Sequence, residues 1–114
     1  MSDVRVGIVG AGANTTSKHI PLLQAIDGVE IVGVANRSDA SSSVVARRFG
    51  IPKTYGHWEQ AVADPDTNAI VIGTWPYLHC PVTLAAIGAG KHVLTEARMA
   101  MNAAEARCML DASL

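Results

Sequence analysis

The strongest constraint in this sequence is a rhythm. Short β-branched runs alternate with longer stretches compatible with helix. The runs at residues 4–9, 30–35, 69–73 and 92–95 are rich in Val and Ile. Each is bounded by Gly, Pro, Asn or Asp, which marks it as a strand. A weaker strand at 53–55 follows Gly50-Ile51-Pro52. Val6-Gly7-Ile8-Val9 and Ile70-Val71-Ile72 run apolar without alternation, as strands do when both faces are covered in a parallel sheet.

Helices are expected between the strands. Ile20, Leu23 and Ile26 mark one face of the first, with Pro21 disturbing its opening turn. The second covers 38–49, with Val44, Val45 and Phe49 apolar, Ser38 or Asp39 as N-cap and Gly50 as the stop. A short helix at 58–63 precedes the Asp64-Pro65-Asp66 turn. The fourth spans 81–89 with Pro81 in its first turn, where a missing N–H matters least. Asn102-Ala103-Ala104-Glu105 reads as a capping box opening the last. The order β-α-β-α-β-α-β-α-β-α, joined by right-handed crossovers, gives a doubly wound parallel α/β sheet in one domain over residues 1–114.

Composition narrows the function. The formal charge of −1 argues against a nucleic-acid binder, which is normally basic. At 49% apolar and 17% charged, the chain is not of disordered type. It has neither a membrane-length apolar run nor the layout of a signal peptide. Cys80 and Cys108 make no disulfide framework and fit a reducing compartment, so a cytoplasmic location is expected. His79 beside Cys80 lacks a second ligand cluster, and no metal site is expected.

The first strand runs into Gly10-Ala11-Gly12-Ala13-Asn14-Thr15. Gly10 suits a sharp exit from the strand. Gly12 suits close approach of backbone to a pyrophosphate resting on the N–H groups of the next helix. The third position, commonly Gly or Ala, is Thr15. Thr15, Thr16 and Ser17 either offer hydroxyls to phosphate or face solvent in a plain tight turn. A P-loop is excluded because no Gly-Lys-Ser/Thr closes the loop. Asn36-Arg37-Ser38 ends the second strand, roughly 24 residues beyond Gly12, where an NAD site places a carboxylate on the adenosine ribose. Asn36 removes that charge, and Arg37 and Ser38 suit a 2′-phosphate. The balance leans toward NADP over NAD; the alternative is a capped helix start with Arg37 in solvent. Past the fourth strand, Trp75 and Tyr77 offer a planar platform for a ring, or else Trp75 packs on the helix.

These segments resemble the Gfo/Idh/MocA family of NAD(P)-dependent oxidoreductases, and the likeness runs through most of the chain. It covers Val6–Gly12, His19-Ile20-Pro21-Leu22-Leu23, Val32-Gly33-Val34-Ala35-Asn36-Arg37-Ser38 and Thr74-Trp75-Pro76-Tyr77-Leu78-His79. Its most specific part is Ala89-Gly90-Lys91-His92-Val93-Leu94-Thr95-Glu96. The resemblance implies a Rossmann-like nucleotide-binding domain followed by a C-terminal substrate domain. The chain is therefore expected to stop before the next strand and that second domain. It also implies hydride transfer to or from a sugar-like or polyol-like small molecule, and a homo-oligomeric parent. By the same likeness, Gly10, Gly12, Ala13 and Asn14 line the pyrophosphate, and Asn36, Arg37 and Ser38 face the adenosine ribose; Thr15 is grouped with the cofactor-binding residues for its hydroxyl. Thr74, Trp75, Pro76 and His79 surround the dinucleotide past the fourth strand, and Glu96 approaches the nicotinamide ribose.

One departure weighs on the chemistry. The family usually reads Glu-Lys-Pro where this chain reads Glu96-Ala97-Arg98. Ala97 cannot move a proton. Arg98, grouped here with the cofactor-binding residues, stays protonated and suits an anionic or carbonyl group better than a proton relay. No catalytic residue is assigned, and a non-catalytic nucleotide-binding or assembly module is the competing expectation.

Overall fold

The computed structural model describes residues 3–12, 15–74, 76–96 and 100–114, with the backbone alone at Pro76. Five strands, β1 (Val4–Val9), β2 (Val29–Ala35), β3 (Lys53–Thr54), β4 (Ala69–Ile72) and β5 (His92–Thr95), form one sheet. Its order is β3-β2-β1-β4-β5, with every pair parallel. The helices are α1 (Ile20–Gln24), α2 (Asp39–Phe49), α3 (Trp58–Ala63), α4 (His79–Gly88) and α5 (Ala103–Ser113). This is the Rossmann-like doubly wound arrangement, with strand order reversing between β1 and β4.

Alternate residues of the same strands feed two cores. Val6, Ile8, Ile31, Val34 and Val71 pack with Ile20 of α1 and Val45 and Ala46 of α2. Val9, Ala35, Ile70 and Ile72 pack on the other face with Ala61 and Val62 of α3 and Val82 and Ala86 of α4. A small third cluster of Cys80, Ala100 and Met109 seats α5 on α4. The unbroken apolar runs are thus explained by helices on both sides of the sheet.

Capping follows side-chain chemistry. Ser38 caps α2, its Oγ accepting from the Ser41 N–H at 3.2 Å, and Gly50 ends the helix in the left-handed region at φ 68°. Asn102 Oδ1 accepts from the Glu105 N–H at 2.9 Å, while Glu105 Oε1 reaches back to the Met101 N–H at 2.8 Å. That back-bond falls one residue earlier than in a capping box proper.

Several boundaries and faces differ from expectation. The first helix ends at Gln24, because the chain must turn through Gly28 (φ 84°) into β2, and Ile26 is left 52% exposed. A π-type turn, Thr15–His19, precedes it, next to Pro21 with its missing N–H. On α2 Ser42 is buried along with Val45 and Ala46, whereas Val44 is exposed. The fourth helix starts at His79 rather than Pro81, which still lies in its first turn. Among the described residues, no helix is long and apolar enough to cross a membrane.

A polar knot ties the outer strand to the loop before β4. Tyr55 O–H donates to Asp64 Oδ2 at 2.6 Å, and Lys53 Nζ lies 3.1 Å from that oxygen and 2.6 Å from Asp66 Oδ2. Burial pushes the Asp64 carboxyl up. Hydrogen bonds from Tyr55, the Asp66 N–H and Lys53 outweigh it and hold the group below its ordinary 3.8. Burial first, then the bond to Asp64, pushes the Tyr55 hydroxyl well above its ordinary range. Since the folded carboxyl is the more acidic, its stabilisation is present above the ordinary 3.8 and lost as pH falls below it. Tyr55→Phe is expected to lower the unfolding free energy at pH 7 by about 1–2 kcal/mol in urea titrations. Asp64→Asn should give a shallower loss of stability below about pH 4 than the wild type. An unchanged acid limb contradicts the assignment.

Candidate functional site

The carboxyl ends of β1, β2 and β4 open onto a cavity of about 700 Å³. That volume falls within the range of about 300–1,000 Å³ of small-molecule sites, at the switch point where open α/β sheets bind ligands. Gly10, Ala11 and Gly12 form one wall, Asn36, Arg37 and Ser41 a second, and Gly73, Thr74, Tyr77 and Leu78 a third. Gly56, His57 and Trp58 close the outer side, since β3 pairs only with β2 and its exit loop borders the end of that strand.

The glycine wall is fixed by close backbone approach. The Gly10 N–H donates to the Ala35 carbonyl at 2.8 Å, and its φ of 84° is a conformation glycine adopts without strain. A Cβ there would lie 2.5 Å from Thr74 Cγ2 and 2.7 Å from Thr74 N. At Gly73 a Cβ would overlap Thr15 Oγ1 and come within 2.6 Å of the Gly10 carbonyl oxygen. Gly12 differs: among the described residues, nothing lies within 4 Å of the position a Cβ would take.

Asn36 has its side chain engaged within the protein. Its Oδ1 accepts from the Ala11 N–H at 2.6 Å, and its Nδ2 donates to Ser41 Oγ at 2.9 Å. Its backbone N–H donates to the buried Ser42 Oγ at 2.8 Å. The side chain thereby braces the glycine turn against the end of β2. Among the described residues lining the cavity there is no carboxylate, whereas Arg37 is one of them.

Of the residues singled out in the sequence, Gly10, Gly12, Asn36, Arg37, Thr74 and Tyr77 come together around this space. Ser38 lies beside it as the α2 cap. Thr15, His79 and Glu96 do not line it. Thr15 is 1% exposed and donates to Glu96 Oε1 at 2.8 Å. His79 is equally buried, its Nε2 donating to the Thr74 carbonyl at 2.9 Å, with Nδ1 lacking a partner among the described residues. It therefore holds the loop between β4 and α4 from inside. Pro76 opens a 3₁₀ turn, Pro76–Leu78. Ala13, Asn14, Trp75, Ala97 and Arg98 fall outside the described residues. Among the described residues no cluster of three His, Cys, Asp or Glu could hold a metal. Burial pushes the Cys80 thiol up, away from thiolate reactivity.

The sequence matches the family model described as an oxidoreductase family with an NAD-binding Rossmann fold, over residues 4–113. The chain belongs to the Gfo/Idh/MocA family. It is 38% identical over 109 residues to 1,5-anhydro-D-fructose reductase of Ensifer adhaerens, a match covering 96% of this chain and 32% of that protein. Among solved structures, biliverdin reductase of Synechocystis, in complex with biliverdin and NADP+, superimposes with a TM-score of 0.89 at 28% identity. That match covers 96% of this chain and 34% of that one. The myo-inositol dehydrogenase of Lactobacillus casei, in complex with NAD(H) and myo-inositol, gives 0.90 at 26% identity, over 98% and 33% of the two chains. The chain spans about a third of the length of the curated relatives it matches.

Within this Gfo/Idh/MocA domain, the family-like Lys91 proves structural. Its Nζ donates to the Asp64 carbonyl at 2.7 Å and to Thr67 Oγ1 at 3.1 Å, at the amino end of the sheet away from the cavity. Sequence reasoning passed over Ser41, His57 and Trp58. The signal for the last two was available: both directly follow the short strand expected at 53–55.

The two glycines of the turn are predicted to respond differently to alanine. Gly10→Ala should cost about 2 kcal/mol or more in denaturant unfolding, whereas Gly12→Ala should keep Tm within about 4 °C of the wild type. Equal losses contradict the packing described.

Proposed function

We propose that the cavity binds the adenosine and pyrophosphate portions of NADPH, with NADH bound more weakly. The observation that carries this reading is the charge of the wall: among its described residues are the glycine turn at Gly10–Gly12 and the Arg37 guanidinium, and no carboxylate. A polyanion is favoured in such a space, and a 2′-phosphate meets the guanidinium where an NAD site would place an acid. Backbone at Gly10 and Gly12 would hold the pyrophosphate, Arg37 and Ser41 the adenosine end, and the Tyr77–Leu78 side the part toward β4. When bound, a nicotinamide cofactor supplies the hydride in reduction or accepts it in oxidation. This chain's contribution is to bind it and exclude water along the floor formed by Val9 and Ala35.

The whole protein is proposed to reduce or oxidise a small hydroxylated or carbonyl compound. The 1,5-anhydro-D-fructose reductase and the myo-inositol dehydrogenase support that substrate class. Hydride transfer needs a second shaped surface over the nicotinamide, so this chain by itself is proposed to bind the dinucleotide without efficient turnover. A second reading, a dinucleotide-binding module that transfers no hydride, is favoured by Ala97 standing where the family usually has Lys.

Titration with NADPH and NADH, followed by tryptophan fluorescence, tests the binding, since Trp58 lines the cavity. A saturable response to both, tighter for NADPH, is expected. Arg37→Ala should weaken NADPH by about tenfold and leave NADH nearly unchanged. No response to either nucleotide overturns the reading, and an unchanged affinity ratio in Arg37→Ala removes the preference for NADPH.

A further inference from the structure

Glu96 follows β5, yet its carboxylate is held by residues that follow β1. Thr15 Oγ1–H donates to Glu96 Oε1 at 2.8 Å, and His19 Nε2 reaches the same oxygen at 3.0 Å. Thr15 is the first residue of the π-type turn and His19 the last. One carboxylate oxygen therefore gathers both ends of that turn. The link passes beside the end of β4, where a Cβ at Gly73 would overlap Thr15 Oγ1 and lie 3.3 Å from Glu96 Oε1.

The turn needs an external hold. A π-type turn has a looser hydrogen-bond pattern than an α-turn, and Pro21 contributes no N–H just beyond it. Its other end reaches the glycine wall. Thr16 N–H donates to the Gly12 carbonyl at 2.9 Å, and Thr16 Oγ1 lies 3.0 Å from the same oxygen. Displacement of Thr15 thus moves the carbonyl of Gly12, which lines the cavity. Thr15 and Glu96 themselves stand outside that lining.

We infer that Glu96 is a positioning residue, which locks the pyrophosphate-binding turn to the end of β5 through Thr15 and His19. The inference rests on the dinucleotide reading above. It assigns Glu96 the job of holding the turn rather than touching the ribose. Because the pyrophosphate is common to NADPH and NADH, the hold acts on both alike. Arg37 acts on their difference.

The test measures NADPH and NADH affinities and the unfolding temperature for the wild type, Glu96→Ala and Glu96→Gln. Glu96→Ala should weaken both nucleotides by about tenfold with their ratio preserved, and keep the ligand-free Tm within about 4 °C. Glu96→Gln keeps an oxygen acceptor and should recover both affinities to within about threefold of the wild type. Should Glu96→Ala fail to fold, Thr15→Val removes one donor at nearly constant shape and should weaken both nucleotides by about threefold. Unchanged affinities, a shifted NADPH-to-NADH ratio, or a weakening that Glu96→Gln does not relieve each overturns the inference. A wild-type chain that binds neither nucleotide overturns the dinucleotide reading, and this inference with it.

Discussion

Everything functional in this molecule depends on how closely two strand ends approach one another. At the carboxyl ends of β1 and β4 the chain leaves the sheet in two turns. The Gly73 N–H donates to the Val9 carbonyl and the Gly10 N–H to the Ala35 carbonyl, each at 2.8 Å. A side chain at Gly10 would strike the Thr74 backbone, and one at Gly73 the Gly10 carbonyl. The cavity exists because these turns are backbone against backbone, which leaves their outer surfaces available to a ligand. Parallel pairing throughout the sheet brings every strand's exit to the same edge.

Around that contact, buried polar groups are spent on one another. Asn36 braces the glycine turn, Ser42 receives the Asn36 N–H, and His79 holds the Thr74 carbonyl. Among the described residues, the cavity wall includes the Arg37 guanidinium and no carboxylate. In a site of this kind preference follows from charge at one position, since the shape is set by backbone.

Much of the fold was legible because burial on both faces leaves a direct mark on the sequence. Runs such as Ile70-Val71-Ile72 have no polar face to offer, and only a sheet covered on both sides accepts them. Caps at Ser38 and Asn102 were legible for the same local reason. What stayed hidden was tertiary. Apolar spacing at Ile20, Leu23 and Ile26 suggests a longer helix, but the turn into β2 at Gly28 cuts it short. Val44 fits an apolar face by spacing, yet the sheet receives Ser42 because the Asn36 N–H needs its oxygen. In the site, the residue types pointed to the glycine turn that borders the cavity. Which polar atoms face the cavity and which face each other depends on contacts across 25 residues for Asn36 with Ala11 and 81 for Thr15 with Glu96. Spacing along a chain carries no record of such pairings.

The space between the glycine turn and Arg37 is the proposed dinucleotide site. Amide chemical shifts of the labelled protein, followed during titration with NADPH, test it most directly. Saturable shifts are expected at Gly10–Gly12, Asn36–Ser41 and Gly73–Leu78, with the groove at Arg47, Gly50 and Thr54 unaffected. Shifts centred on that groove, or none at saturating NADPH, would contradict it.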